Sequence, residues 1–173
     1  MSIGNTLYVS VSEMETALQW LAWIVYIIVL IIVAELFSYA WHRWAAHTDI
    51  IPGLHDTHKI HHQANLEHHT AEGDFVWILS LVVVLTIGLS LGVYWGFFSV
   101  TFVVVTITVS LLVFGLNYYI HSAYHQPEHW LHQYQWFQNH KNYHFLHHQY
   151  PDKNYGIVSF YPDQLAGTFI SKE

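Results

Sequence analysis

The chain has 173 residues, 53% of them hydrophobic and only 10% charged, a balance far from that of a water-soluble globule. Five Lys and Arg against twelve Asp and Glu give a formal net charge of -7, which leaves no basic surface for nucleic acid. The absence of cysteine excludes disulfide frameworks, zinc ribbons and thiol nucleophiles together, so any metal must be held by nitrogen and oxygen, and sixteen histidines are present to do it.

Residues 1–17 are polar or mildly acidic, with Glu13 and Glu15, and lack the basic start and cleavage site of a signal peptide. From Leu18 to Ala34 there is no charge, and extension to Tyr39 admits only Glu35, so a first membrane span is predicted over 18–39. A second charge-free stretch runs from Phe75 to Tyr119 and is interrupted at Gly88, Gly92 and Gly96. It is too long for one crossing and predicts a helical hairpin with spans over 75–93 and 97–119; a single crossing or a re-entrant dip is the alternative. Its Val and Thr runs resemble strands, but an open sheet facing lipid would leave backbone groups unpaired.

Three crossings return the chain to the side it left, so regions 41–74 and 120–168 share one face of the membrane. All sixteen histidines lie in these two regions, and the basic residues Arg43, Lys59, Lys141, Lys153 and Lys172 fall on the same side. By the positive-inside rule that side is cytoplasmic. The expected architecture is therefore all-α and integral to the membrane. A single domain over 1–173 has about three transmembrane helices and a cytosolic-side, histidine-rich helical cap.

The histidines follow a grammar: His42 and His47, then His58, His61 and His62, then His121 and His125, then His144, His147 and His148. Side chains three and four apart share a helix face, so the last three blocks can each aim imidazoles into one space. His42 and His47, five apart, either straddle a helix end or serve different metals. A lone histidine on an amphipathic helix is usually just a satisfied polar residue, but four blocks on one side of a membrane point to metal binding. Imidazole suits iron, zinc, copper or nickel. A structural zinc takes four ligands and a catalytic one three, so eight to ten histidines imply two metals. Two nitrogen-held metals above helices that admit a lipid chain fit dioxygen activation against an unreactive C–H bond, which favours iron.

Ligand imidazoles usually give their second N–H to a carboxylate or carbonyl. The nearest acids are Glu35, Asp56, Glu67, Glu72, Asp74, Glu128, Asp152 and Asp163. His55, His68, His69, His129, His132 and His140 lie off the grammar and are candidates for an outer layer, and Asn117 and Asn139 are further candidates to hold metal or water.

The four blocks resemble those of the fatty acid hydroxylase superfamily, membrane histidine-rich di-iron enzymes that include fatty acid 2-hydroxylases, sterol desaturases and carotene hydroxylases. The stretch from Asn154 to Ser159, followed by Asp163 and Gly167-Thr168, is similar to the closing segment of that family. Pro162 and Ala166 stand where the family usually has Trp and Phe. The resemblance runs from about Glu35 to Thr168. In block spacing it is nearest the fatty acid 2-hydroxylases, and in length the carotene hydroxylases.

The resemblance implies ten metal ligands, His42, His47, His58, His61, His62, His121, His125, His144, His147 and His148, around two iron ions, with zinc as a substitute in purified protein. It also implies hydroxylation of a lipid acyl chain in lipid biosynthesis, with electrons from a separate haem or ferredoxin-type donor protein. The location implied is multi-pass, in the endoplasmic reticulum or a bacterial inner membrane. Carotenoid hydroxylation or desaturation by the same centre is the alternative within enzymes. A membrane metal store or transporter is disfavoured because residues 75–119 carry neither charge nor histidine. A zinc hydrolase would use fewer histidines and a carboxylate base.

Overall fold

A computed structural model describes residues 11–63 and 72–171. Every regular element among them is helical: α1 (Val11–Ala40), which runs on into a π-helical turn at Trp41–Ala46, α2 (Pro52–Gln63), α3 (Glu72–Tyr94), α4 (Val100–His125), a 3-10 turn at Trp130–Gln133, α5 (Gln135–Gln149) and α6 (Tyr161–Ala166).

Two helices are long and apolar enough to cross a bilayer, Ser12–Ala46 and Val100–His125; Val82–Tyr94 is a shorter apolar stretch. Their composition dictates where they sit. Much of α1, including Trp20, Leu21, Ile24, Ile28 and Val33, lies exposed, as does Leu112 on α4, and water would not tolerate so much contiguous apolar surface. The buried positions of α4 recur every three to four residues, at Val103, Thr106, Ser110, Val113, Asn117, Ile120 and His121. That stripe packs against α1.

The contacts between α1 and α4 advance together along both chains. The Tyr26 hydroxyl meets that of Thr106, Phe37 meets Phe114 edge-on and Ser38 meets Asn117. The two helices are therefore parallel, and their C-terminal ends, which carry His42, His47, His121 and His125, arrive together. The partial negative charge of two helix C-termini favours cations at that end.

Parallel packing requires α3 to carry the chain back before α4 begins. Gly96, at φ 75°, makes the tight reversal, with the Phe97 amide donating to the Gly92 carbonyl at 2.8 Å. Ser99 then caps α4, its hydroxyl accepting from the Phe102 amide at 3.1 Å. The expected hairpin is thus present as two helices joined by a short turn. At the site end, Ile120, Ala123, Tyr124, Leu131, Phe137 and Ile157 form a small core that seats α5 and the C-terminal segment on α4.

Candidate metal centre

The early and late histidine blocks converge. His42, His47, His58, His62 and His147 offer ring nitrogens that all lie within 4.8 Å of one another, and His61, His121, His125 and His144 form a second such group. His148 joins the second group, its Nε2 3.0 Å from that of His144. All ten histidines singled out by spacing are therefore brought together, five and five.

The π turn explains the first pair. Five residues separate His42 from His47, which on an α-helix would turn them well apart, but π geometry repeats at i+5. The two rings stand 5.1 Å apart in one group, so they do not serve different groups.

Each H-x-x-H-H block is divided rather than shared. On α2, His58 and His62 enter the first group and His61 the second, while on α5, His144 and His148 enter the second and His147 the first. The i and i+4 side chains stack along one line of the helix, and the i+3 side chain leans to the other side of it. Where the groups meet, His62 and His148 stack with ring centroids 4.4 Å apart.

Hydrogen bonding fixes which ring nitrogen faces inward. The Nδ1 of His42 donates to the Tyr155 carbonyl and that of His147 to the Lys153 carbonyl, both at 2.6 Å. Their Nε2 atoms are then lone-pair acceptors, yet they stand 3.0 Å from His58 Nε2 and 3.1 Å from His47 Nε2. His58 Nε2 also lies 2.9 Å from His47 Nε2 and 3.0 Å from that of His62. Crowded inward lone pairs repel unless a cation stands among them, so the donor set fits a nitrogen-coordinated metal.

Burial keeps these imidazoles in the neutral form that binds metals. It is the largest cause at each, followed by neighbouring imidazoles at His47, which is lowered to about 2. His62 is lowered to about 4, and His58, His144 and His147 lie well below the usual value.

The carbonyls that orient His42 and His147 belong to one loop, whose shape Asn154 sets. This fully buried residue adopts φ 51°, which Asn tolerates, and turns the Lys153 and Tyr155 carbonyls toward their histidines. Its side chain ties the loop down, donating to the Tyr143 and Ile170 carbonyls and accepting from the Ile170 amide. Asp163, also fully buried, accepts from the Tyr155 amide at 2.8 Å, the Gly156 amide at 2.7 Å and the Thr168 hydroxyl at 2.7 Å. Burial pushes its carboxyl above the usual range, against the pull of those donors. A Cβ on Gly156 would collide with the Ser159 carbonyl, so the loop needs glycine there.

Among the described residues, backbone carbonyls orient His42 and His147. Glu35 accepts from Asn117 at 2.8 Å and Ser159 at 3.0 Å, and Asp152 pairs with Lys153. Glu67, His68 and His69 lie outside the described residues, as do the side chains of Glu72 and Asp74. His55 bonds the Ala46 carbonyl and faces Asp49, His129 caps the 3-10 turn, His132 meets Lys141, and His140 bonds the Trp136 carbonyl. Asn139 pairs with Gln135 on the exposed side of α5. The carbonyls of Lys153 and Tyr155 escaped sequence reasoning because backbone atoms leave no residue-type signal.

A half-open cavity of about 90 Å³ reaches both groups. Phe37, Trp41, Phe114 and Ile157 line it, and His42, His58 and His121 stand in its wall.

Parallel apolar helices whose four terminal histidines meet six more from α2 and α5 define a histidine-rich membrane protein with a candidate two-metal centre. The family model for fatty acid hydroxylase matches residues 27–168, most of the chain, and the chain belongs to that family. Membership makes it a hydroxylase- or desaturase-type membrane oxidoreductase. Comparison with curated proteins and with solved structures gave no match.

Proposed function

We propose that the chain is a di-iron oxygenase that hydroxylates a lipid acyl chain in lipid biosynthesis, with electrons from a separate haem or ferredoxin-type donor. α3 makes the third crossing, and the histidine end faces the cytoplasm. The observation that carries this reading is the pair of five-imidazole groups opening onto one apolar cavity.

His42, His47, His58, His62 and His147 would hold one iron, and His61, His121, His125, His144 and His148 the other. Bound iron would supply dioxygen activation, and the net reaction takes up dioxygen, two electrons and two protons to give an alcohol and water. The chain contributes geometry and dryness. The Tyr155 and Lys153 carbonyls fix the rings of His42 and His147 and make them better donors. Phe37, Trp41 and Phe114 exclude water and align a segment of substrate beside the histidines, while the rest of the lipid lies along the exposed flanks of α1 and α4.

Metal analysis of anaerobically purified protein, with mass spectrometry of lipids from an expressing host, tests centre and product at once. Two irons per chain and a hydroxylated acyl product are expected. A dehydrogenated or carotenoid product would move the activity to the sister reactions, and a chain that binds no iron would end the reading.

A further inference from the structure

α4 serves as a depth gauge for the connection that follows it. Leu112, Leu116 and Tyr119 recur at helical spacing on one exposed face, which lipid covers in a membrane protein. After His125 the chain doubles back along this face. The Trp130 indole donates to the Tyr119 hydroxyl at 2.9 Å, which brings Trp130 level with Tyr119, six residues before the helix ends. Tyr134 stands edge-on to Trp130 with ring centroids 5.9 Å apart, and Trp136 stacks on Tyr134 at 6.5 Å. All three rings are exposed. Large amphipathic rings continuous with a lipid-facing flank belong where acyl chains meet headgroups.

One turn further out stands a cation. The His132 ring bonds the Ala123 carbonyl, four residues or about 6 Å beyond Tyr119 along α4, and accepts from the Lys141 ammonium at 3.1 Å. The same ammonium lies 5.5 Å over the Phe145 ring. It has three N–H groups, and among the described residues His132 is its one side-chain acceptor and no carboxylate pairs with it. Burial pulls its pKa below the ordinary value, a penalty that a neighbouring anion relieves. Outward along α4 the order is therefore aliphatic side chains, aromatic rings, then cation. A phospholipid has the matching order of acyl chain, glycerol ester and phosphate.

We propose that this face is the binding site of an anionic phospholipid, whose phosphate pairs with Lys141 while its ester region lies on Trp130, Tyr134 and Trp136. A zwitterionic lipid brings its own cation to the phosphate, so an anionic headgroup suits an ammonium without an acidic partner better. The bound lipid braces the start of α5, the helix that carries His144, His147 and His148. The proposal needs α4 to lie in a bilayer and nothing of the metal chemistry.

The test places the full chain, labelled with 5-fluorotryptophan, in phosphatidylcholine nanodiscs and reads fluorine NMR, with signals assigned by Trp20→Phe, Trp130→Phe and Trp136→Phe. Phosphatidylglycerol or phosphatidylcholine bearing a nitroxide high on one acyl chain reports lipid contact, and a gadolinium chelate reports water. Trp130 and Trp136 should broaden with lipid nitroxide more than with the chelate. The phosphatidylglycerol form should act at an about 5-fold lower mole fraction, the preference expected of one lysine at an anionic headgroup. Lys141→Gln should erase that difference and Lys141→Arg should keep it. Trp20, on the exposed flank of α1, should respond to both lipids alike in every variant. Broadening of Trp130 and Trp136 by the chelate alone overturns the site, and so does protection from both probes, the signature of a contact with protein. An equal response to the two lipids, or a preference that Lys141→Gln leaves intact, overturns it as well.

Discussion

The α2 triplet His58, His61, His62 and the α5 triplet His144, His147, His148 have identical spacing, yet each sends two imidazoles to a different group and lends one to the other. The groups they build are near counterparts in number and differ in what stands behind them. The first is braced by the C-terminal loop, where the Tyr155 and Lys153 carbonyls accept from His42 and His147 and the Tyr155 ring packs against His42, His47 and His147. In the second, packing braces His144. His144 has no exposed surface and lies stacked over Tyr124, whose hydroxyl donates to the Ile157 carbonyl at 2.9 Å. Among the described residues, Nδ1 of His144 in the second group and Nδ1 of His62 in the first have no hydrogen-bond partner. The contrast teaches that one spacing can be oriented in two ways, by a carbonyl at His147 and by ring stacking at His144. Carbonyl-bonded imidazoles are the stronger donors, so His42 and His147 should anchor a metal in the first group.

The largest effect that can break this comparison is loss of one ligand from each side. His147→Ala should empty the first group and His144→Ala the second, each lowering affinity at its own group by more than about 100-fold. Product formation should vanish in both, and metal per chain, measured by mass spectrometry, should fall by half. Loss of all metal from either variant would mean that the groups fill as one unit.

Next comes Asp163→Ala, which strips the acceptor from two buried amides and a hydroxyl at roughly 1 to 3 kcal/mol each. The melting temperature should drop steeply. Metal affinity should fall about 10-fold or more at the first group and much less at the second, as read by titration of each. An equal fall at both would show that the loop braces the whole cluster.

A smaller effect follows from protonation. The imidazoles of His47, His58, His62, His144 and His147 have folded-state values below the ordinary 6.5, so on acidification the unfolded chain takes up protons that the metal-free folded chain refuses. Stability of the metal-free protein is full above about pH 7 and should decline as pH falls from 6.5 toward 4. His47→Gln should make that decline shallower by about one proton, measurable as the pH slope of chemical denaturation in detergent.

The smallest expected change is Tyr124→Phe. It removes one hydrogen bond, worth about 1 kcal/mol, and keeps the ring beneath His144. Melting should shift slightly while metal at the second group stays constant; loss of that metal would give the hydroxyl a role beyond packing.

Much of this was legible beforehand because hydrophobic run length and histidine spacing are one-dimensional signals. The all-helical class, the turn near Gly96 and the meeting of His42 to His62 with His121 to His148 follow from counting helices and reading intervals. The division of each triplet was not legible, because i+3 and i+4 positions are both neighbours of i, and only the placement of facing helices decides which side each serves. The orienting partners were hidden for another reason. Sequence draws attention to acids such as Glu35 and Asp163, whereas the atoms that hold His42 and His147 are carbonyl oxygens common to every residue. The left-handed Asn154 that aims them is one asparagine among several. Nor does the composition of Trp41–Ala46 announce a π turn.

That turn carries a consequence for insertions and deletions. With i+5 geometry, the segment from Trp41 to Ala46 holds one residue more than an ordinary helix would spend to bring His42 and His47 to the same side. Deleting one alanine would let the segment relax to the common pitch with the two histidines at i and i+4, still on one side, whereas adding one would swing everything beyond it by about 100°. His47 would then leave its partners with every ligand residue still present in the chain. At this junction the phase of the backbone matters as much as the identity of the side chains, and a variant can keep the whole histidine inventory and still lose the geometry.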